Sequence, residues 1–200
     1  MTDIYPFRVP VDEFKDKRVL VTGGTKGIGE AIVRRFTLGG ALVATTARSP
    51  LPQDHSPAVF VQADIGTAAG AQAVIDRIQQ EWNGLDILIN SAGGSDAPNG
   101  GFQVLSDRDW QTALGLNLLA AVRLDRAFLP GMIERKSGIV LHISSIQHRL
   151  PHYDATRSLT LQPRQRFEPI ARVLRTRSDK RESASIRSRL GSSKLQAHAA

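Results

Sequence analysis

Short apolar runs recur along the first two thirds of the chain, each separated from the next by a loop or by a stretch with helical spacing. The runs are RVLVTGG (18–24), ALVATTA (41–47), AVFVQAD (58–64), LDILIN (85–90) and GIVLHIS (138–144). They are nearly continuous in small and apolar residues rather than alternating with polar ones, the pattern of strands buried on both faces. Between them Gly29–Leu38, Thr67–Trp82 and Asp107–Glu134 predict helices, the last opened by a capping box between Ser106 and Asp109. Strands alternating with helices predict an α/β fold, a doubly wound parallel sheet with helices on both faces. Right-handed connections then put the ligand crevice at the carboxyl ends of the strands.

From about Arg157 this order dissolves. Arg, Ser and Gln dominate, Phe167 is the only aromatic, and the apolar residues keep no steady period. Such a segment has little to offset the entropy of ordering it. The chain therefore divides into a domain over residues 1–156 and a basic tail over 157–200, expected to be disordered. Charge divides at the same place. The net charge of +7 is uneven: residues 1–156 carry 15 Lys and Arg against 16 Asp and Glu, while 157–200 carry 11 against 3. The whole basic excess belongs to the tail and does not mark the domain as a nucleic-acid binder.

With 200 residues and 41% hydrophobic content, the chain suits one domain with one core. The absence of cysteine excludes a disulfide framework and thiolate metal sites, and fits a reducing compartment. The opening MTDIYPFRVPVDEF is acidic and proline-broken, unlike a signal or transit peptide, and no apolar run approaches the roughly 18 residues of a membrane span. These features predict a cytoplasmic protein with no membrane partner.

The chemistry begins at VTGGTKGIG, between the first predicted strand and the first helix. Gly23, Gly27 and Gly29 let the backbone approach a phosphate closely, and the helix N-terminus adds N–H groups and a positive dipole end. A plain structural turn is the competing reading; the strand before and the helix after favour a nucleotide. The spacing T-G-x-x-x-G-x-G resembles that of the short-chain dehydrogenase/reductase family. Further motifs similar to that family's follow in order: ADI (63–65), NSAGG (90–94) with Ser91 replacing a second Asn, LNLLAAVRL (116–124), and VLHISSIQHRLP (140–151).

The resemblance implies a function, NADP-dependent or NAD-dependent hydride transfer between a carbonyl and an alcohol, and roles residue by residue. Gly23, Thr25, Lys26, Gly27, Ile28 and Gly29 would hold the cofactor phosphates; Asp64 and Ile65 would flank the adenine; Asn90, Ala92 and Gly93 would line the cofactor after the fourth strand. Asn117 and Ser145 would be catalytic, Ser144 structural. Each has a plainer alternative: Asp64 capping a turn, Asn90 bonding neighbouring backbone, Asn117 satisfying a local carbonyl, His142 simply packed. The stretch GGSDAPNGG (93–101) would be a loop near the substrate. At the end of the second strand stands TTARS, with Arg48 and no carboxylate to accept a ribose 2′-hydroxyl; Arg48 and Lys26 favour the 2′-phosphate of NADP over NAD unless both are only solvated charges. The family also implies a small-molecule substrate and homo-oligomers, with much of that interface missing here.

The departure is as informative as the match. The family uses a Tyr hydroxyl as general acid/base with a Lys four residues on. Tyr153 comes only eight residues after Ser145, and Arg157 stands where Lys is needed. A guanidinium differs in geometry and keeps its proton, so it is a poor substitute. Reading the codons of 157–172 one base earlier offers an explanation: RSLTLQPRQRFEPIAR can then encode A-L-A-Y-A-A-A-K-A-A-L-R-T-Y-S-K. In the same frame ESASIRSRLG (182–191) can encode G-V-R-V-N-T-V-S-P-G, similar to the family's next strand and turn. A one-base slip near Thr156, in the gene or its sequencing, is therefore expected to have replaced the genuine C-terminal third and left a chain close to inactive. Two other readings stay open: a non-catalytic NAD(P)-binding redox sensor whose basic tail engages a partner, and a nucleic-acid binder acting through that tail.

Overall fold

The computed structural model describes residues 10, 12–98 and 102–144. Five strands, β1 (Arg18–Thr22), β2 (Leu42–Ala47), β3 (Val59–Gln62), β4 (Ile87–Asn90) and β5 (Ile139–His142), form one parallel sheet in the order β3-β2-β1-β4-β5. Helices α1 (Gly27–Leu38), α2 (Ala68–Trp82), α3 (Asp107–Leu114) and α4 (Ala120–Glu134) lie in the connections β1–β2, β3–β4 and β4–β5, while β2 runs to β3 through 48–58 without a helix. All five predicted strands are present. The order reverses at β1, which has β2 on one side and β4 on the other, so the crevice opens above the ends of β1 and β4.

The three inner strands, β2, β1 and β4, are buried on both faces. On one, Leu20, Ala44, Leu88 and Val140 pack against Val74 and Ile78 of α2 and Leu124, Phe128 and Met132 of α4. On the other, Val19, Val21, Val43, Ile87 and Ile89 meet Ile32, Val33 and Phe36 of α1. A side chain the size of Leu20, with no exposed surface, contributes about 1.5–3 kcal/mol. Among the described residues this cover stops at β5, the edge strand, where Ile139 and Leu141 remain 51% and 46% exposed.

The predicted helix over 107–134 is interrupted. The Ser106–Asp109 capping box opens α3 as expected, and its hydrogen bonds hold the Asp109 carboxyl below its usual pKa. Between Leu114 and Ala120, however, Gly115–Leu119 winds as a single π turn. A Cβ on Gly115 would lie 2.8 Å from the carbonyl oxygen of Gly66, so only glycine lets the helix approach the end of β3 this closely. The wider turn carries Asn117 toward the crevice.

At the opposite end of the sheet Arg18 fastens β1 to β4. Its Nε and Nη2 donate to the Asp86 carboxylate at 3.0 and 2.7 Å, and Nη1 donates to the Trp82 carbonyl at 2.8 Å. These hydrogen bonds lower the Asp86 pKa and raise that of Arg18. A carboxylate whose pKa is lower folded than unfolded stabilises the fold above its unfolded value, about 3.9, and that contribution is lost as pH falls through the lowered folded value. Asp86→Asn is expected to cost about 1–2 kcal/mol at neutral pH, read by urea denaturation, and to abolish that part of the acid sensitivity.

Candidate functional site

Two threonines shape the crevice. The Oγ1 of Thr22, at the end of β1, accepts the N–H groups of Ser91 and Ala92 at 3.0 Å each, drawing the chain after β4 across the end of β1. The Oγ1 of Thr45 in β2 accepts from Gly24 N–H at 3.0 Å and donates to the Val21 carbonyl at 2.8 Å, which fixes the glycine turn. Gly23 and Gly27 have φ of +69° and +60°, the region where glycine is at ease. At Gly29 the demand is steric: a Cβ there would lie 2.2 Å from the Gly23 carbonyl oxygen. The turn therefore lies directly against the start of α1, whose N-cap, Lys26, makes no side-chain hydrogen bond to the helix, whereas Thr67 and Ser106 cap α2 and α3. Thr25 is half-buried, while Lys26, Gly27 and Ile28 are exposed, Ile28 by 66%. This is a backbone cradle with N–H groups available to an anion.

Arg48 extends from the end of β2 and pairs with Asp96 of the loop after β4 at 3.6 Å, both side chains largely exposed. The pair links the chain after β2 to the loop after β4, the two strands that flank β1. Asp64, beyond β3, accepts the Gly66 N–H at 3.0 Å, so the turn-capping role is present; Ile65 is buried beside it. Ala92 lies under the glycine turn, close enough that a Cβ on Gly23 would come within 3.0 Å of its Cα, and Gly93 is exposed.

A cavity continues from the crevice, lined by Thr22, Asn90, Asn117, His142 and Ser144 among others. Asn117 is buried and fully engaged: its Oδ1 accepts from Gly94 N–H at 3.0 Å, and its Nδ2 donates to the carbonyls of Gly94 at 2.7 Å and Ala113 at 3.0 Å. It satisfies a local carbonyl and also pins the loop after β4. The Asn90 side chain reaches a side chain rather than neighbouring backbone among the described residues: Nδ2 donates to Asp125 Oδ1 at 3.0 Å. His142, expected to be packed, lies against Asn90 and Asp125 and also lines the cavity. Ser145, Tyr153 and Arg157, and with them the catalytic-serine assignment, the tyrosine question and the tail, lie outside the described residues. Among those described there is no cluster of three metal-ligating side chains and no helix long and apolar enough to cross a membrane.

The glycine cradle, the buried asparagine and the sheet order are those of a doubly wound nucleotide-binding domain, and a short chain dehydrogenase model matches residues 17–156. The chain belongs to that family. It is 33% identical over 155 residues to the NADP-dependent 3-hydroxy acid dehydrogenase YdfG of Shigella flexneri, covering 72% of this chain and 62% of that one. A short chain dehydrogenase of Pseudocercospora fijiensis is 33% identical over 165 residues, covering 73% and 51%. Among solved structures, L-sorbose reductase from Gluconobacter frateurii, complexed with NADPH and L-sorbose, matches with a TM-score of 0.70 and 29% identity over 80% of this chain and 64% of that one. The chain thus spans less than two thirds of the length of these relatives.

Proposed function

We propose that residues 17–156 are the cofactor-binding portion of an NADP-dependent oxidoreductase that moves hydride between a carbonyl and an alcohol on a small molecule. The observation that carries this reading is the glycine cradle against an N-terminus of α1 with no side-chain cap, beside Arg48, where the end of β2 carries no carboxylate of its own and the one nearby, Asp96, belongs to the loop after β4 and pairs with Arg48. The cradle fits a dinucleotide phosphate, because the turn packs against the start of α1 so closely that a Cβ on Gly29 would lie 2.2 Å from the Gly23 carbonyl oxygen. The helix N-terminus beside it has no side-chain cap to compete with an anion. Relatives named for NADP, or solved with NADPH, support the choice of cofactor. The bound dinucleotide would supply or accept the hydride. Glycine-turn N–H groups would hold its pyrophosphate, Arg48 and Lys26 its 2′-phosphate, and Asn117 would keep the loop after β4 in place over it. Ser145 would hydrogen-bond the substrate oxygen.

The general acid/base is the missing part. With no Tyr-x-x-x-Lys after Ser145 in this frame, the chain as written is expected to bind cofactor without turnover. A frame slip near Thr156 accounts for this, and the family match ending at residue 156 supports it.

Titration of NADPH and NADH by fluorescence tests the cofactor reading. Arg48→Gln should weaken NADPH by about 3–10-fold, since the guanidinium is solvent-exposed and a charge-assisted contact there is screened, and leave NADH within twofold. Equal loss for both cofactors, or none, would remove Arg48 from the 2′-phosphate site.

A further inference from the structure

The span between β2 and β3 carries Arg48 at its start and has no helix to hold it. Because β1, β2 and β3 follow one another in a single direction across the sheet, right-handed connections place this span on the same face as α1. It reaches α1 at His55. The side chain of His55 is 13% exposed, and its Nε2 lies 3.3 Å from Glu30 Oε1 in the first turn of α1. Asp54 Oδ1, on an exposed side chain, lies 4.0 Å from the same nitrogen, and Arg34 Nη2 lies 3.7 Å from Glu30 Oε1. Among the described residues these are the ion-pair partners of the ring and of Glu30. From His55 back to Arg48 the path is short and stiff. Pro50 and Pro52 fix φ at two of the intervening residues, the His55 N–H donates to the Pro52 carbonyl at 3.1 Å, and Gln62 Nε2 donates to the Arg48 carbonyl at 3.0 Å.

We propose that Glu30 and His55 are positioning residues: their contact seats the span 48–58 on α1, holds Arg48 beside the glycine cradle and so sets the preference for NADP over NAD. The inference rests on the cofactor reading above, since it acts through Arg48. Glu30 follows directly on Gly29 of the cradle. A link from it to the span therefore ties the cation that meets the 2′-phosphate to the same turn that meets the pyrophosphate. The attraction needs a charged ring, and an imidazole is charged only when protonated, a change that histidines undergo between about pH 5 and 8. Ion pairs that stay partly open to water are modest, which limits the effect to a few-fold in affinity.

The test is titration of NADPH and NADH on the full chain at about pH 5.5 and about pH 8.5, on either side of that range. At the lower pH, His55→Gln and Glu30→Gln are each expected to weaken NADPH about three- to fivefold and to leave NADH within about twofold. At the higher pH the gap between each variant and the wild type should close. Comparing proteins at one pH removes the titration of the 2′-phosphate itself. His55→Lys keeps a cation opposite Glu30 at both values, so it should hold the NADPH preference at the higher pH as well. In an Arg48→Gln chain, His55→Gln should cost nothing further. Equal losses for both cofactors, a loss that does not change with pH, or an undiminished loss without Arg48 would overturn the positioning role and leave the cofactor reading standing. A wild-type chain that binds neither cofactor would overturn both.

Discussion

A version of this protein translated one base earlier from codon 157 onward should reduce carbonyl compounds with NADPH at least about 10²–10⁴ times faster than the chain as written, the usual contribution of a positioned general acid/base. The expected gain is large because the first three quarters of the site already stand in place. The cradle, Arg48 and the pinned loop after β4 all derive from residues before 118, and Asn117 is locked by three hydrogen bonds. What the frame would add is the Y-A-A-A-K segment. It would also add chain able to cover β5, where Ile139 and Leu141 lie exposed at the sheet edge. Exposed apolar surface of this kind promotes association, so the restored protein should also be the more soluble of the two. Assays with 3-hydroxy acids, sugars and simple ketones, beside size-exclusion profiles of both forms, check this. A restored protein with no activity, or an original chain already active and monodisperse, would sink the account of the tail.

Gly29→Ala should abolish measurable NADPH binding, at least about a hundredfold, and cost about 1–3 kcal/mol of stability. The added methyl would fall 2.2 Å from the Gly23 oxygen, 2.9 Å from its carbonyl carbon and 3.1 Å from Gly24 Cα. All three are backbone atoms, so no rotamer change relieves the contact and the start of α1 must move off the turn. Gly27→Ala is the control. A Cβ there meets nothing within 4 Å, so its cost is only that of φ near +60°, about 1–2 kcal/mol, with the cradle intact. Thermal melts and NADPH titrations separate the two. Gly29→Ala binding within threefold of the wild type would mean that the close turn-to-helix approach is not what holds the phosphates.

Much of the fold was legible because its signals are local. Continuous apolar runs identified all five strands, and Ser106 with Asp109 marked the start of α3 from a spacing of three residues. The π turn was not legible: it inserts one residue into a helical period, and Gly115 reads there like any tolerated glycine. Its reason is the approach of Gly66, some fifty residues away in sequence. Thr22 and Thr45 read as ordinary strand residues, since the N–H groups they bind lie 69 and 21 residues distant. Asp125 could have been found. It falls four residues after Ala121, three before Phe128 and seven before Met132, on the buried stripe, and a carboxylate there demands a partner. His142 beside Asn90 follows once the parallel register is known, but strand register is a tertiary property.

Determining the coding DNA across codons 150–195 tests the central claim most directly. The account predicts a minus-one frame that stays open and spells Y-A-A-A-K and then V-S-P-G, which would assign the dehydrogenase chemistry to the gene and make the basic tail a product of misread codons. A frame broken by stops, or spelling neither motif, would contradict it. The tail would then be genuine, and an NADPH-binding protein without turnover, engaging a partner through residues 157–200, would become the reading to pursue.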